Sequence, residues 1–246
     1  MKILVVSDVH EDELAVKELS EYFEPSAIFD CGDHNIPQDL AHLESAFMFQ
    51  DIPRYFIYGN HAPSWIKDVA RENVPFSKGN LHYLPSGKIS KITIDNEELL
   101  VGAFGGNYSS EFSELSATYA DAERLRNSPS GLDVLLLHDS PFISPQIKDS
   151  HIETIRLINE VISLKSPSYV FSGHIHKYIE QSFEGLNTLY VSLSYPIVTA
   201  GLLESDSSGL QYRRLFHGKD FKLSSANWPL VSKQLSALKK EFPKDS

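Results

Sequence analysis

The chain has 246 residues, 41% of them hydrophobic, and a formal net charge of −11. That apolar fraction supports a packed core and excludes disorder as the main state, and the acidic balance disfavours a dedicated nucleic-acid groove. The single cysteine, Cys31, excludes disulfides within the chain and any multi-cysteine zinc site, and no apolar run approaches the ~20 residues of a membrane span.

In chain order the pattern alternates β and α. Residues 2–6 are a continuous apolar run of strand type, too short for a signal peptide and ending before Asp8, so a cytoplasmic location is expected. Leu14, Leu19 and Phe23 follow at near-helical spacing over 12–23, with Pro25 as the stop. A second strand is read at 27–31, a helix from Pro37 to Phe49, a third strand at 54–58 and a short helix at 64–72. These make a βαβαβ unit with a parallel sheet buried on both faces. Next come two strands, 88–94 and 97–104, around the turn Asp95-Asn96, which read as an antiparallel hairpin. A helix is expected within the serine-rich 107–131, at about 113–126. A buried strand at 133–137, a helix at 151–164 and a strand at 168–172 follow. Short strands at 179–183, 187–193, 197–204 and 209–216 suggest a second, more antiparallel sheet. Val231, Leu235, Leu238 and Phe242 share one face of a C-terminal helix, 229–242. No linker is evident, so residues 1–246 are read as one domain.

The chemistry sits after the strands. Strand 2–6 runs into Asp8-Val9-His10, strand 27–31 into Gly32-Asp33, strand 54–58 into Gly59-Asn60-His61, strand 133–137 into His138, and strand 168–172 into Gly173-His174-Ile175-His176. Ligand sites of open α/β sheets lie outside the carboxyl ends of the strands, so these groups should converge at one edge. Asp8, His10, Asp33, Asn60, His138, His174 and His176 are seven ligating side chains. That number exceeds one tetrahedral ion and suits two ions sharing a bridge, for which the carboxylate of Asp33 is the candidate. Imidazole, carboxylate and amide without thiolate suit Mn, Fe, Zn, Co or Ni above Ca, with Mn²⁺ placed first.

In order and spacing these five motifs resemble the calcineurin-like metallophosphoesterases. The resemblance implies a four-layer α/β/β/α sandwich with two mixed sheets. It implies that Asp8, His10, Asp33 and His176 hold one metal and that Asp33, Asn60, His138 and His174 hold the other. His61 would face the phosphate and the leaving group as a catalytic residue beside Asp33. Two departures stand out. Ala62 occupies the position where many members carry an acid that orients the histidine, leaving Asp12, Glu13 or a residue of 107–131 to substitute. His34-Asn35 follows Gly32-Asp33, unlike the Asp-Arg-Gly run of the serine/threonine protein phosphatases, so that branch is excluded.

The expected activity is hydrolysis of a phosphate ester by in-line attack of a hydroxide held between two metals. A phosphodiester of nucleotide or nucleic-acid type is preferred as substrate; a phosphomonoesterase and a metal-binding, non-catalytic scaffold are the alternatives. The lack of a Lys/Arg cluster near the motifs favours a small or flexible substrate over duplex DNA. Asn107 and Tyr108, after Gly105-Gly106, are read as an ordinary turn in preference to substrate contacts. Trp65 is read as core, His42, His82, His151 and His217 as surface or structural, and Cys31 as a small apolar strand residue.

Overall fold

Strict alternation along the strands divides the apolar residues between separate layers. In β1 (Lys2–Val6), Ile3 and Val5 face one core while Leu4 and Val6 face another. A computed structural model describes residues 1–10, 13–33, 51–62, 64–109, 116–129, 131–142, 149–194 and 199–215, with Lys233, Ser236, Ala237, Lys239 and Lys240 beyond them. The expected helix 37–49 lies outside these residues, as does most of 229–242.

The first sheet has β1, β2 (Ala27–Asp30), β3 (Arg54–Phe56) and β5 (Leu81–Tyr83) as parallel strands. On one side it is closed by antiparallel β4 (Phe76–Lys78), and on the other by the hairpin β14 (Gly201–Asp206) and β15 (Gly209–Arg214). The second sheet has β7 (Glu97–Phe104), β10 (Val134–Leu137), β11 (Tyr169–Ser172) and β13 (Leu189–Ser192) in parallel. Its edges are antiparallel β6 (Lys88–Ile94) and β12 (Ile179–Ser182). A parallel pair, β8 (Asn107–Ser109) and β9 (Ser116–Thr118), stands apart.

Four helices complete the described elements: α1 (Glu13–Phe23), α2 (Ser64–Glu72), α3 (Tyr119–Asn127) and α4 (Asp149–Lys165). The α1 helix lays Ala15, Val16, Leu19 and Phe23 on Leu4, Val6 and Ile28, and α2 lays Ile66 and Ala70 on Phe56, Tyr58, Leu81 and Tyr83. The α4 helix lays Ile155, Ile158, Val161 and Ile162 on Leu135, Leu137 and Val170. Between the sheets Val5 and Phe29 meet Val101, Val134, Leu136, Phe171 and Val191. The architecture is therefore the α/β/β/α sandwich with two mixed sheets.

Three expectations need correction. The second sheet is parallel at its centre and antiparallel only at its edges. The strands at 201–206 and 209–214 belong to the first sheet, because β14 pairs with β1 (Lys2↔Glu204 to Val5↔Gly201). The helix expected at 113–126 begins at Tyr119, where Thr118 and Asp121 form a reciprocal capping box that satisfies the first free amides. The Asp95-Asn96 turn is as expected: both residues take positive φ (50° and 66°), which matches the twist of a two-residue hairpin.

Leu136 is fully buried between the sheets, whereas Leu164 on α4 is 63% exposed. Leu136→Ala should lower unfolding free energy by about 2–5 kcal/mol and Leu164→Ala by less than about 0.5 kcal/mol, as measured by urea denaturation.

Candidate metal centre

The parallel strands of both sheets deliver their carboxyl ends to one edge. Beyond β1 and β2 the backbone stays zipped: the Asp8 N–H donates to Gly32 O (2.9 Å) and the His10 N–H to Asp33 O (2.7 Å). Across the sheets, the His174 N–H after β11 donates to both carboxylate oxygens of Asp8 (3.1 and 3.0 Å). The Ser7 hydroxyl adds a second donor, to Asp8 Oδ2 (2.7 Å). Asp33 Oδ1 accepts from the His61 N–H (2.8 Å), which brings in the loop after β3.

Two clusters result. Asp8, His10 and His176 each offer a ligand atom, all within 4.8 Å of one another, and Asp33, His138 and His174 do the same. Asn60 joins the second cluster, its Oδ1 lying 2.9 Å from both His138 Nε2 and His174 Nδ1. His176 Nε2 lies 3.0 Å from Asp8 Oδ1, and His138 Nε2 lies 3.5 Å from Asp33 Oδ2. Asp8, Asp33 and His138 are buried.

The donor set fits a cation. The Nδ1–H of His138 donates to the Cys31 carbonyl (2.8 Å), which leaves the Nε2 lone pair aimed at the oxygens of Asn60 and Asp33. Lone pairs facing lone pairs are stable only with positive charge between them. Burial lowers the pKa of His10 and of His174 against the pull of the neighbouring carboxylates, favouring neutral, ligating imidazoles. Burial raises that of Asp8, but its histidine neighbours, the hydrogen bond of His176 first among them, and Ser7 outweigh it and keep the group ionised. Two Asp/His clusters without thiolate are positioned to coordinate two divalent ions.

Backbone strain is concentrated here. Asp8, His10, Asp33, His174 and His176 all have positive φ, between 46° and 63°. Such conformations cost about 1–3 kcal/mol each and gather where function requires them. Two glycines permit the close approach. A Cβ on Gly59 would lie 2.0 Å from Asp33 Oδ1, and one on Gly173 would lie 2.2 Å from Asp8 Oδ2.

His61 lies outside both clusters, exposed, with its ring 5.6 Å from that of His10. Among the described residues no carboxylate hydrogen-bonds its imidazole. Glu13, one expected substitute for the acid missing at Ala62, is instead held by Arg54 (Nη1–Oε2 2.8 Å). Asp12, His34, Asn35, His42 and His217 lie outside the described residues, as does the side chain of Trp65. Tyr108 is buried in the core with its hydroxyl donating to the Asp139 carbonyl (2.9 Å). Cys31 is buried, and burial pushes its thiol pKa up, so it stays protonated. His82 stacks on Tyr55 with its Nδ1 2.9 Å from Ser77 Oγ, a structural role.

Sequence reasoning missed Arg54 and Asp30. Asp30 is fully buried; its Oδ1 accepts from the Gly32 N–H (2.9 Å) and its Oδ2 from Arg54 Nε (2.8 Å). Against burial, Glu13 and Asp30 hold the Arg54 pKa above its ordinary value. One guanidinium thus fixes the turn that leads to Asp33 and the start of α1, just past His10.

A family profile described as the calcineurin-like phosphoesterase superfamily domain matches residues 1–193. No curated protein matches the chain. Among solved structures, GAP50, the anchor in the inner membrane complex of Plasmodium, is 9% identical with a TM-score of 0.56, over 96% of this chain and 94% of that one. The phosphopantetheinyl hydrolase of Mycobacterium tuberculosis is 13% identical with a TM-score of 0.44, over 79% and 90%. Yfce, a phosphoesterase from E. coli, is 13% identical with a TM-score of 0.40, over 84% and 90%. At such identities the likeness is one of fold, and the first match carries it.

Removing Arg54 leaves the buried Asp30 carboxylate uncompensated. Arg54→Met should therefore destabilise the protein by about 3–5 kcal/mol, measured as a shift in urea midpoint, and weaken metal binding in calorimetric titration.

Proposed function

The chain belongs to the calcineurin-like phosphoesterase superfamily, and from that premise we propose that it is a phosphodiesterase in which Asp33 links two metal sites and His61 serves the leaving group. Its two intact Asp/His clusters are those of a dinuclear metal-dependent hydrolase of phosphate esters. In this reading Asp8, His10 and His176 hold one ion, Asn60, His138 and His174 hold the other, and Asp33 is shared. When bound, two such ions place Lewis-acid charge on the phosphate oxygens and lower the pKa of an attacking water.

The protein's own groups then have separate tasks. Asp33 holds the His61 backbone through Oδ1 (2.8 Å) while its other oxygen faces His138, so one carboxylate ties the catalytic loop to the metal edge. His61, exposed at the rim, donates a proton from its imidazole to the departing oxygen. With no orienting carboxylate on that ring among the described residues, good leaving groups should be favoured.

The observation that carries the diester preference is the character of the partners around the carboxylates. Asp8 and Asp33 are met by histidines, a serine and backbone amides, and among the described residues no lysine or arginine is paired to either. A diester brings one negative charge to the metals and a monoester two, so this surround suits the diester. The protein of Plasmodium that shares the fold is named an anchor, which is why an activity test matters more here than the likeness does.

Metal-stripped protein supplied with Mn²⁺ should cleave bis-(p-nitrophenyl) phosphate faster than p-nitrophenyl phosphate. Asp33→Asn should lower kcat/KM by at least about 100-fold, the scale of losing one electrostatic group from a preorganised site. A faster monoester reaction would make the enzyme a phosphomonoesterase. Two bound metals with neither ester cleaved would point to a scaffold.

A further inference from the structure

We propose that Arg214, laid flat on the ring of Tyr178 at the rim of the metal edge, is a subsite for a second anionic group on the substrate. The subsite rests on the phosphoesterase reading above and adds to it a substrate class: phosphate esters that carry another phosphate or carboxylate about one nucleotide away from the reacting phosphorus.

Sheet register places Arg214. Val5 pairs with Gly201 and Gly201 pairs with Arg214, so Arg214 is level with the carboxyl end of β1, three residues short of Asp8. Two strand spacings put its backbone about 10 Å from that of Val5. The other sheet supplies the platform. Tyr178 is two residues beyond His176, at the point where β12 begins opposite the end of β13. The Arg214 guanidinium carbon lies 3.6 Å from the Tyr178 ring centroid, in cation–π contact. The pair therefore bridges the open edges of both sheets on the side of the Asp8, His10 and His176 cluster.

The platform is rigid. Tyr178 packs on the inter-sheet core, as does Tyr212, which lies on the same face of β15 as Arg214. The Tyr178 hydroxyl donates to Glu180, which fixes the ring. One N–H of the guanidinium is left unsatisfied. Its Nε is buried without a hydrogen-bond partner, and no carboxylate among the described residues forms an ion pair with it. Arg213, one residue earlier and on the opposite face, shows the ordinary alternative: an ion pair with Glu204 at 3.2 Å. A stacked guanidinium keeps its in-plane N–H groups for an acceptor, and that planar fork matches phosphate or carboxylate in bidentate geometry. A buried guanidinium N–H without a partner among the described residues calls for an acceptor, and an anion supplies one.

The test compares thymidine 3′,5′-bisphosphate with thymidine 5′-phosphate as ligands of the Mn²⁺-loaded full chain, by titration calorimetry. The bisphosphate should bind about tenfold more tightly, the scale of one charge-assisted hydrogen-bonded contact. Arg214→Gln should bring the two ligands to parity, and Arg214→Lys should retain part of the preference. Arg213→Gln should keep all of it, and the metal stoichiometry of each variant reports that the protein is folded. Equal binding of the two ligands by the unmodified protein, or a preference that survives Arg214→Gln, overturns the subsite. Cleavage of bis-(p-nitrophenyl) phosphate by the unmodified protein, measured alongside, judges the phosphoesterase reading separately, since the binding comparison needs no turnover.

Discussion

At their functional edge the two sheets meet on the carboxylate of Asp8, with the hydrogen bond from His138 to the Cys31 carbonyl beside it. Asp8 leaves β1 of the first sheet and accepts the backbone N–H of His174, which leaves β11 of the second. An ionised group without solvent is costly, and it is tolerated here because Ser7, His174 and His176 all face its two oxygens. The consequence is geometric. Once Asp8 is seated, His174 and His176 are brought to the first sheet, and the distance between the sheets at this edge is set. Gly173 belongs to the same constraint, since any side chain there would collide with the Ser7 hydroxyl and the Asp8 carboxylate.

A second constraint keeps the first sheet from relaxing. Five ligand-bearing residues adopt left-handed backbone that none of them prefers. Such residues revert to ordinary conformations unless their surroundings over-determine them. The buried set of Asp30, Arg54 and Glu13 is one such determinant, because it anchors the turn before Asp33 and the helix after His10 to the same guanidinium. Its value is therefore better judged by loop geometry than by stability, where buried ion pairs are often replaceable by apolar residues of equal volume.

Much of this was legible in the sequence, and the limits have physical causes. Runs such as 2–6 and 133–137 announce strands buried on both faces, and polar residues directly after them announce a site at the carboxyl ends. Strand direction in the second half was not legible, because a short apolar run carries no sign of which neighbour it will join. Nor was the return of β14 to β1, a pairing between the two ends of the described fold. The start of α3 was readable in Thr118-x-x-Asp121 but was masked by the polar residues around it. Arg54 gave no signal: it opens an apolar strand, and its partners Asp30 and Glu13 stand 24 and 41 residues away. The missing acid at Ala62 was visible, whereas the engagement of Glu13 elsewhere was not.

The net charge of −11 poses an electrostatic problem for any protein whose substrate is an anion, and the site answers it locally. Long-range repulsion from surface acids is screened over about 8 Å at physiological ionic strength, so the groups near the edge decide the outcome. There the described carboxylates of the clusters are two, Asp8 and Asp33, against which two divalent ions bring four positive charges. The metal edge is then a confined positive region in an acidic protein, with Arg214 as a further cation at its rim. Under the function proposed above, the charge that receives the reacting phosphate is confined to this edge, and the net acidity of the rest of the chain adds no attraction to it.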